Sequence, residues 1–156
     1  MQNVLESIRQ YFPKVSVASD FFDRLNLSLR SHHRFTPANT RFAEGACSDE
    51  INEPELQRLE AYWGERFKFG GLAGYCHGGR TGLNAVSHHV PEQNDERNLL
   101  FVGGPHIGWH DGQWGQVRRA RQAELTTCCG SLMAIVEADC EGLASKSWSR
   151  LDSQQF

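Results

Sequence analysis

Three short stretches of this chain end in side chains that could share a metal ion. Cys47-Ser48-Asp49 closes one apolar run, Gly104-Pro105-His106 closes another, and Cys128-Cys129-Gly130 precedes a third. Zinc accepts thiolate sulfur and imidazole nitrogen, and a catalytic zinc site takes three protein ligands and keeps a fourth position for water. Cys47, His106 and one member of the adjacent pair Cys128 and Cys129 would supply that set. The spacing is not that of a zinc finger, and from spacing alone buried free thiols and hydrogen-bonded histidines compete with the metal reading. A helix start at the cysteine pair would favour a thiolate there. Thiol redox chemistry suits the pair less well, because vicinal cysteines form a strained disulfide and lack the Cys-x-x-Cys spacing. Other candidates fare worse. Cys76 and His77 would point to opposite faces at a strand end, His32-His33 reads as a polar loop, Trp109 and His110 as part of a rim, and Cys140 as buried filler.

The elements that must position these residues can be read from periodicity. Val4, Leu5, Ile8, Tyr11 and Phe12, then Phe21, Phe22, Leu25 and Leu29, recur at helical spacing on either side of Pro13, which predicts two helices in an N-terminal segment over residues 1–36. "TRFAEGACSD" predicts a strand ending at Cys47. Asp49 or Asn52 can cap the following helix, "EPELQRLEAYWGERF", with Pro54 near its first turn. "KFGGLAGY" reads as a second strand, "CHGGRTG" as a turn, and "LNAVSHHV" as a short helix stopped by Pro91. "LLFVGGPHIG" is the best strand of the chain. After the polar run "WHDGQWGQVRRARQAEL", the segment "TTCCGSLMAIVEADC" carries Leu132, Met133, Ile135 and Val136 at the spacing of a buried helix. The strand–helix alternation predicts an α/β fold with a sheet parallel in its centre, where ligands bind beyond the carboxyl ends of the strands. Cys47, the glycine-rich turn and His106 then converge on one sheet edge.

Composition narrows the partners. A chain of 156 residues with 39% hydrophobic and 22% charged residues fits one domain over 1–156. A net charge of -3 with scattered signs offers nucleic acid no surface to follow. No window approaches the ~20 apolar residues of a membrane span, and "MQNVLESIRQYF" lacks the order of a signal peptide. The expectation is a cytoplasmic protein that engages neither membrane nor nucleic acid. Its five cysteines, an odd number, argue against a disulfide framework.

The stretches "CSDEIN", "GGLAGY", "RTG", "SHHVP", "GPHIG" and "CCGSL" together resemble the limiting-CO2-inducible B/C (LCIB-like) family, the θ-class carbonic anhydrases related to β-carbonic anhydrases. The resemblance implies a β-carbonic-anhydrase-like central sheet, mostly parallel and flanked by helices, with N-terminal helices. It implies Zn2+ held by Cys47, His106 and Cys129, with Cys128 the competing third ligand, and Asp49 beside the metal. It further implies a homodimer, with CO2 and bicarbonate as substrate and product, and places His89, the second histidine of "SHH", in the site without ligating. One departure stands out. The ordinary β-class pattern carries an arginine two residues after the Asp, and here that position is Ile51. Arg80 in the glycine-rich turn is the candidate cation for Asp49. A cation there would keep Asp49 ionised, to accept a hydrogen bond from the reacting water or, alternatively, to ligate zinc and gate the site. His89 is the candidate proton carrier, since imidazole exchanges protons near neutral pH. Leu72, Val86 and Ile107 could line a recess for CO2, and the small Ser48 should leave the site open. Tyr11, Phe12, Phe21 and Phe22 could swap onto a second subunit. The rival reading is a non-catalytic zinc-containing LCIB-like partner or regulator in inorganic-carbon metabolism.

Overall fold

The computed structural model describes residues 2–74 and 79–134, with side chains from Val4 onward. Cys76, His77, Ile135, Val136 and Cys140 lie outside the described residues. The chain opens with two helices, α1 (Gln2–Arg9) and α2 (Ala18–His33), on either side of Pro13. Asp20 in the first turn of α2 and Arg30, His32 and His33 in its last complement the helix dipole. The helix stops where Arg34 turns left-handed at φ 60° and the returning chain bonds to the carbonyl of Leu29.

Three strands form a parallel sheet in the order β2-β1-β3, with β1 spanning Thr40–Ala46, β2 Phe67–Lys68 and β3 Asn98–Gly104. A central parallel strand is covered on both faces and so loses the alternation of a half-exposed one. Accordingly Phe42 and Ala43, on opposite faces, are both fully buried. On the Phe42 face lies α3 (Glu53–Trp63), which has Pro54 in its first turn. Its Leu56, Leu59 and Trp63, one stripe at helical spacing, pack with Phe42 and Leu100 and draw in Phe22, Leu29 and Phe35. Complete burial of a side chain such as Leu59 stabilises by roughly 2 kcal/mol. The Trp63 indole Nε1–H donates to Asn26 Oδ1 at 2.9 Å, joining α3 to α2 without leaving a buried donor unmet. On the Ala43 face, Phe67, Phe69 and Phe101 stack in sequence. There α4 (Gly79–Ser87) approaches so closely that a Cβ on Gly82 would meet the Phe69 ring at 2.7 Å.

Two local expectations are corrected, and one stretch without an assigned element resolves into hairpins. Of "KFGGLAGY" only the first residue, Lys68, belongs to β2 (Phe67–Lys68), because Gly70, Gly71, Ala73 and Gly74 adopt positive φ, which no strand accommodates. The α4 helix begins at Gly79, inside the stretch read as a turn, and ends at Ser87, leaving His88 and His89 in the turn beyond it. The polar run after β3 folds into two small hairpins, β4 (Trp109–His110) with β5 (Gln113–Trp114), and β6 (Gln116–Arg118) with β7 (Leu125–Thr127). The first turns at Asp111-Gly112, both at positive φ, the Asp-Gly signature of a two-residue hairpin loop. Tyr11 and Phe12, both more than half exposed, pack edge-on against Trp114 of this hairpin. Among the described residues no helix is long and apolar enough to cross a membrane.

Candidate metal centre

The register of β1 and β3 explains how two of the candidate ligands meet. Ala46 pairs with Gly104, so the two parallel strands leave the sheet at the same edge; Cys47 follows immediately and His106 two residues on. The loop after β2 is pressed onto this edge, since a Cβ on Gly74 would lie 1.8 Å from the carbonyl oxygen of Gly104. Only glycine permits that backbone contact together with φ 73°. The third contribution comes through the hairpins. Cys128 N–H donates to Gly115 O and Gly108 N–H to Cys128 O, while Gly115 N–H donates to Gly108 O, each at 2.8 Å. This ladder ties the segment behind His106 to the cysteine pair and leaves no room for a side chain at Gly108, whose Cβ would meet Gln116 O at 2.5 Å. A helical turn over residues 130–134 follows, with Met133 N–H donating to Cys129 O.

Cys47, His106 and Cys129 present their donor atoms within 4.8 Å of one another. Cys47 and Cys129 are 4% and 2% exposed, and their Sγ atoms lie 3.6 Å apart. His106 Nε2 is buried without a hydrogen-bond partner, an expensive state for a polar atom that a bound cation would relieve. Burial also pushes the Cys47 thiol up from its ordinary pKa, whereas a coordinated metal favours the thiolate. Two sulfurs and an imidazole nitrogen around an unmet donor site fit zinc. Asp49, His106 and Cys128 form a second, overlapping group, and burial pushes the Cys128 thiol up to about 11. Ala73 and Leu132 close the apolar side of the Cys47 and Cys129 thiols.

Asp49 lies beside this cluster, with Oδ2 3.4 Å from His106 Nε2. Its carboxylate caps the short 3-10 turn Glu50–Asn52 by accepting from Ile51 N–H, and it receives a two-pronged pair from Arg119, Nη1 to Oδ1 and Nη2 to Oδ2, each 2.7 Å. Those hydrogen bonds hold the Asp49 carboxyl well below the usual carboxylate range and raise Arg119 correspondingly. Arg119 is held in turn by Glu50 and by Thr126, whose Oγ1 accepts from Nε at 2.9 Å. The cation on Asp49 is therefore Arg119 and not Arg80, which is exposed in the first turn of α4. A bidentate fork needs the guanidinium plane facing the carboxylate, and β6 ends where that is met.

The other candidates are dispersed. His89 is exposed, its ring 5.3 Å from that of Phe67 and its carbonyl accepting from Arg41. His110 sits near Asp111 on the first hairpin. Ser48 is exposed, and its hydroxyl donates to Gly71 O at 2.8 Å. Leu72 and Ile107 are largely exposed and Val86 is fully buried; none of the three belongs to the apolar cluster around the thiols, which is built from Ala73 and Leu132.

Among solved structures, PtLCIB4, a homologue of the limiting CO2-inducible protein LCIB, matches with a TM-score of 0.83 and 32% identity, over 97% of this chain and 62% of that one. LCIB itself matches with a TM-score of 0.68 and 27% identity, over 88% of this chain and 52% of that one. The chain thus spans less than two thirds of the length of these relatives. No curated protein matches it. The family described as limiting CO2-inducible proteins B/C beta carbonic anhydrases matches residues 16–155. With that match over nearly its whole length, the chain belongs to the limiting CO2-inducible protein B/C family of carbonic-anhydrase relatives.

Proposed function

We propose that the chain is a zinc-dependent carbonic anhydrase catalysing the reversible hydration of CO2 to bicarbonate and a proton, with Cys47, His106 and Cys129 holding the metal. The observation that carries this reading is the convergence of two buried thiols and an imidazole nitrogen without a hydrogen bond, beside a carboxylate held in its ionised form. Zinc held there would supply the positive charge that makes water acidic and nucleophilic near neutral pH. Asp49, which can only accept once ionised, takes a hydrogen bond from the reacting water and so aims its lone pair. Arg119 keeps both carboxylate oxygens in place, which opposes rotation of Asp49 toward the metal. Ala73 and Leu132 give CO2 an apolar wall without competing polar groups.

The test combines metal analysis with stopped-flow CO2 hydration. Purified protein is expected to hold stoichiometric zinc and to hydrate CO2 well above the buffer rate. Asp49→Ala is expected to retain zinc and lose about 10²-fold in turnover, the scale of removing one preorganised hydrogen-bonding group. Cys129→Ser should lose the metal and Cys128→Ser keep it. Zinc-free protein, or loaded protein no faster than buffer, overturns the proposal.

A further inference from the structure

Asn52 closes the 3-10 turn Glu50–Asn52, yet its side chain does not cap the α3 helix that follows. It reaches backwards. Its amide Nδ2 donates to the main-chain carbonyl of Cys47 at 2.9 Å and lies 3.2 Å from Nδ1 of His106. One amide therefore touches the backbone of one metal-holding residue and the ring of another, 54 positions away in sequence. Nε2 on the far side of that ring is the buried atom without a hydrogen bond.

We infer that Asn52 is a positioning residue for the metal centre, fixing the His106 ring through Nδ1 so that Nε2 faces Cys47 and Cys129. The inference rests on the reading of those three residues as the metal-holding set. An imidazole gripped by a partner at its second nitrogen has its orientation set and its basicity tuned. Which tautomer it adopts depends on what that partner offers. A neutral ring carries one proton, and Nε2 can offer its lone pair only if that proton sits on Nδ1 and meets an acceptor. With Nδ2 toward the ring, Nδ1 accepts and the proton belongs to Nε2. A half-turn of the same amide presents Oδ1, which accepts from Nδ1–H and frees Nε2, at the cost of the bond that Nδ2 gives the Cys47 carbonyl. Asparagine serves both tautomers from one position, which neither a carboxylate nor an apolar side chain can do.

The experiment is competition for zinc against a chromophoric chelator, with the cobalt(II) absorption spectrum as a second readout, on wild type, Asn52→Ala and Asn52→Asp. Asn52→Ala should bind zinc about 10–100-fold more weakly and shift the cobalt bands, because the ring loses its second-nitrogen partner. Asn52→Asp should recover most of that affinity, since a carboxylate oxygen accepts from Nδ1–H. A role confined to bracing the Cys47 carbonyl gives the opposite order, because a carboxylate beside that carbonyl is repulsive and Asp would bind more weakly than Ala. Wild-type affinity in Asn52→Ala, or Asp no tighter than Ala, overturns the positioning role and leaves the metal site standing. Wild-type protein that takes up no zinc overturns the site itself, and the positioning role with it.

Discussion

At the scale of single residues, the decisive pair is Asp49 and Arg119. Their side chains are 12% and 15% exposed, so the carboxylate keeps its charge by virtue of the guanidinium rather than of water. Arg119→Met removes both prongs and leaves Asp49 beside His106 Nε2 with no cation, free to turn toward a bound metal. The expected outcome is protein that still takes up zinc but hydrates CO2 at least about 10²-fold more slowly, read by stopped flow on samples of equal metal content. Thr126→Val deletes the hydrogen bond from Arg119 Nε, at about 1 kcal/mol, together with the long one that its hydroxyl donates to Val117 O, and should cost roughly fivefold in turnover. Undiminished turnover in Arg119→Met would show that Asp49 does not act through this pair. Sequence reading singled out Cys47, Asp49, His106 and Cys129, which the structure brings together, because each stands at the end of an apolar run or the start of a helix. It could not reach Arg119. Asp49 and Arg119 are 70 positions apart, and in "QVRRARQ" nothing local separates the arginine that folds inward from its neighbours Arg118 and Arg121.

At the scale of elements, β1 does two jobs, delivering Cys47 to the sheet edge and burying a charge beneath it. Glu44, in the middle of β1, is 8% exposed and pairs with Arg66 at 2.9 Å, and Arg66, itself 3% exposed, also reaches Glu53 and Glu60. Burial raises the Glu44 carboxyl above its ordinary value of 4.5, with Arg66 opposing. The folded chain thus holds this proton more tightly than the unfolded one. The contribution of Glu44 to stability is largest below 4.5 and falls as pH rises toward the folded value. Arg66→Ala strips the cation from a buried carboxylate and should cost about 3–5 kcal/mol near neutral pH. The deficit should shrink as pH falls and Glu44 takes up its proton, so urea titrations of wild type and variant at pH 5 and pH 8 decide it. A deficit independent of pH would place the loss in packing of the arginine stem. "TRFAEGA" and "LLFVGG" were legible as strands and "EPELQRLEAYW" as a helix because burial and period agree there. The glycine-rich segment after β2 was not, since its apolar content suggests a strand while its backbone needs positive φ. The hairpins were missed although Asp111-Gly112 carried the signal, because strands of two residues leave too little alternation to read.

At the scale of the whole molecule, the candidate metal ligands come from separate parts of the chain, Cys47 after β1, His106 after β3 and Cys129 after the second hairpin, with 82 positions between the two thiols. The unfolded chain has no such constellation, so whatever binds it binds the native state and stabilises it by mass action. At a free zinc concentration a hundredfold above Kd the gain is about 2.7 kcal/mol. For a chain of this length that corresponds to a rise in melting temperature of about 5–10 °C. Differential scanning calorimetry of metal-free protein, reloaded with zinc in steps, should show this rise growing with the logarithm of free zinc. Cys47→Ser should abolish it, since the remaining donors no longer enclose the ion. Arg119→Met should start from a lower temperature yet keep the zinc-dependent increment, because Arg119 holds Asp49 and none of the three candidate ligands. A melting temperature indifferent to both chelator and zinc would mean that the sheet edge and the hairpins are brought together by protein contacts alone. The ladder of Gly108, Gly115 and Cys128 and the tight seat of Gly74 on Gly104 would then account for the whole convergence.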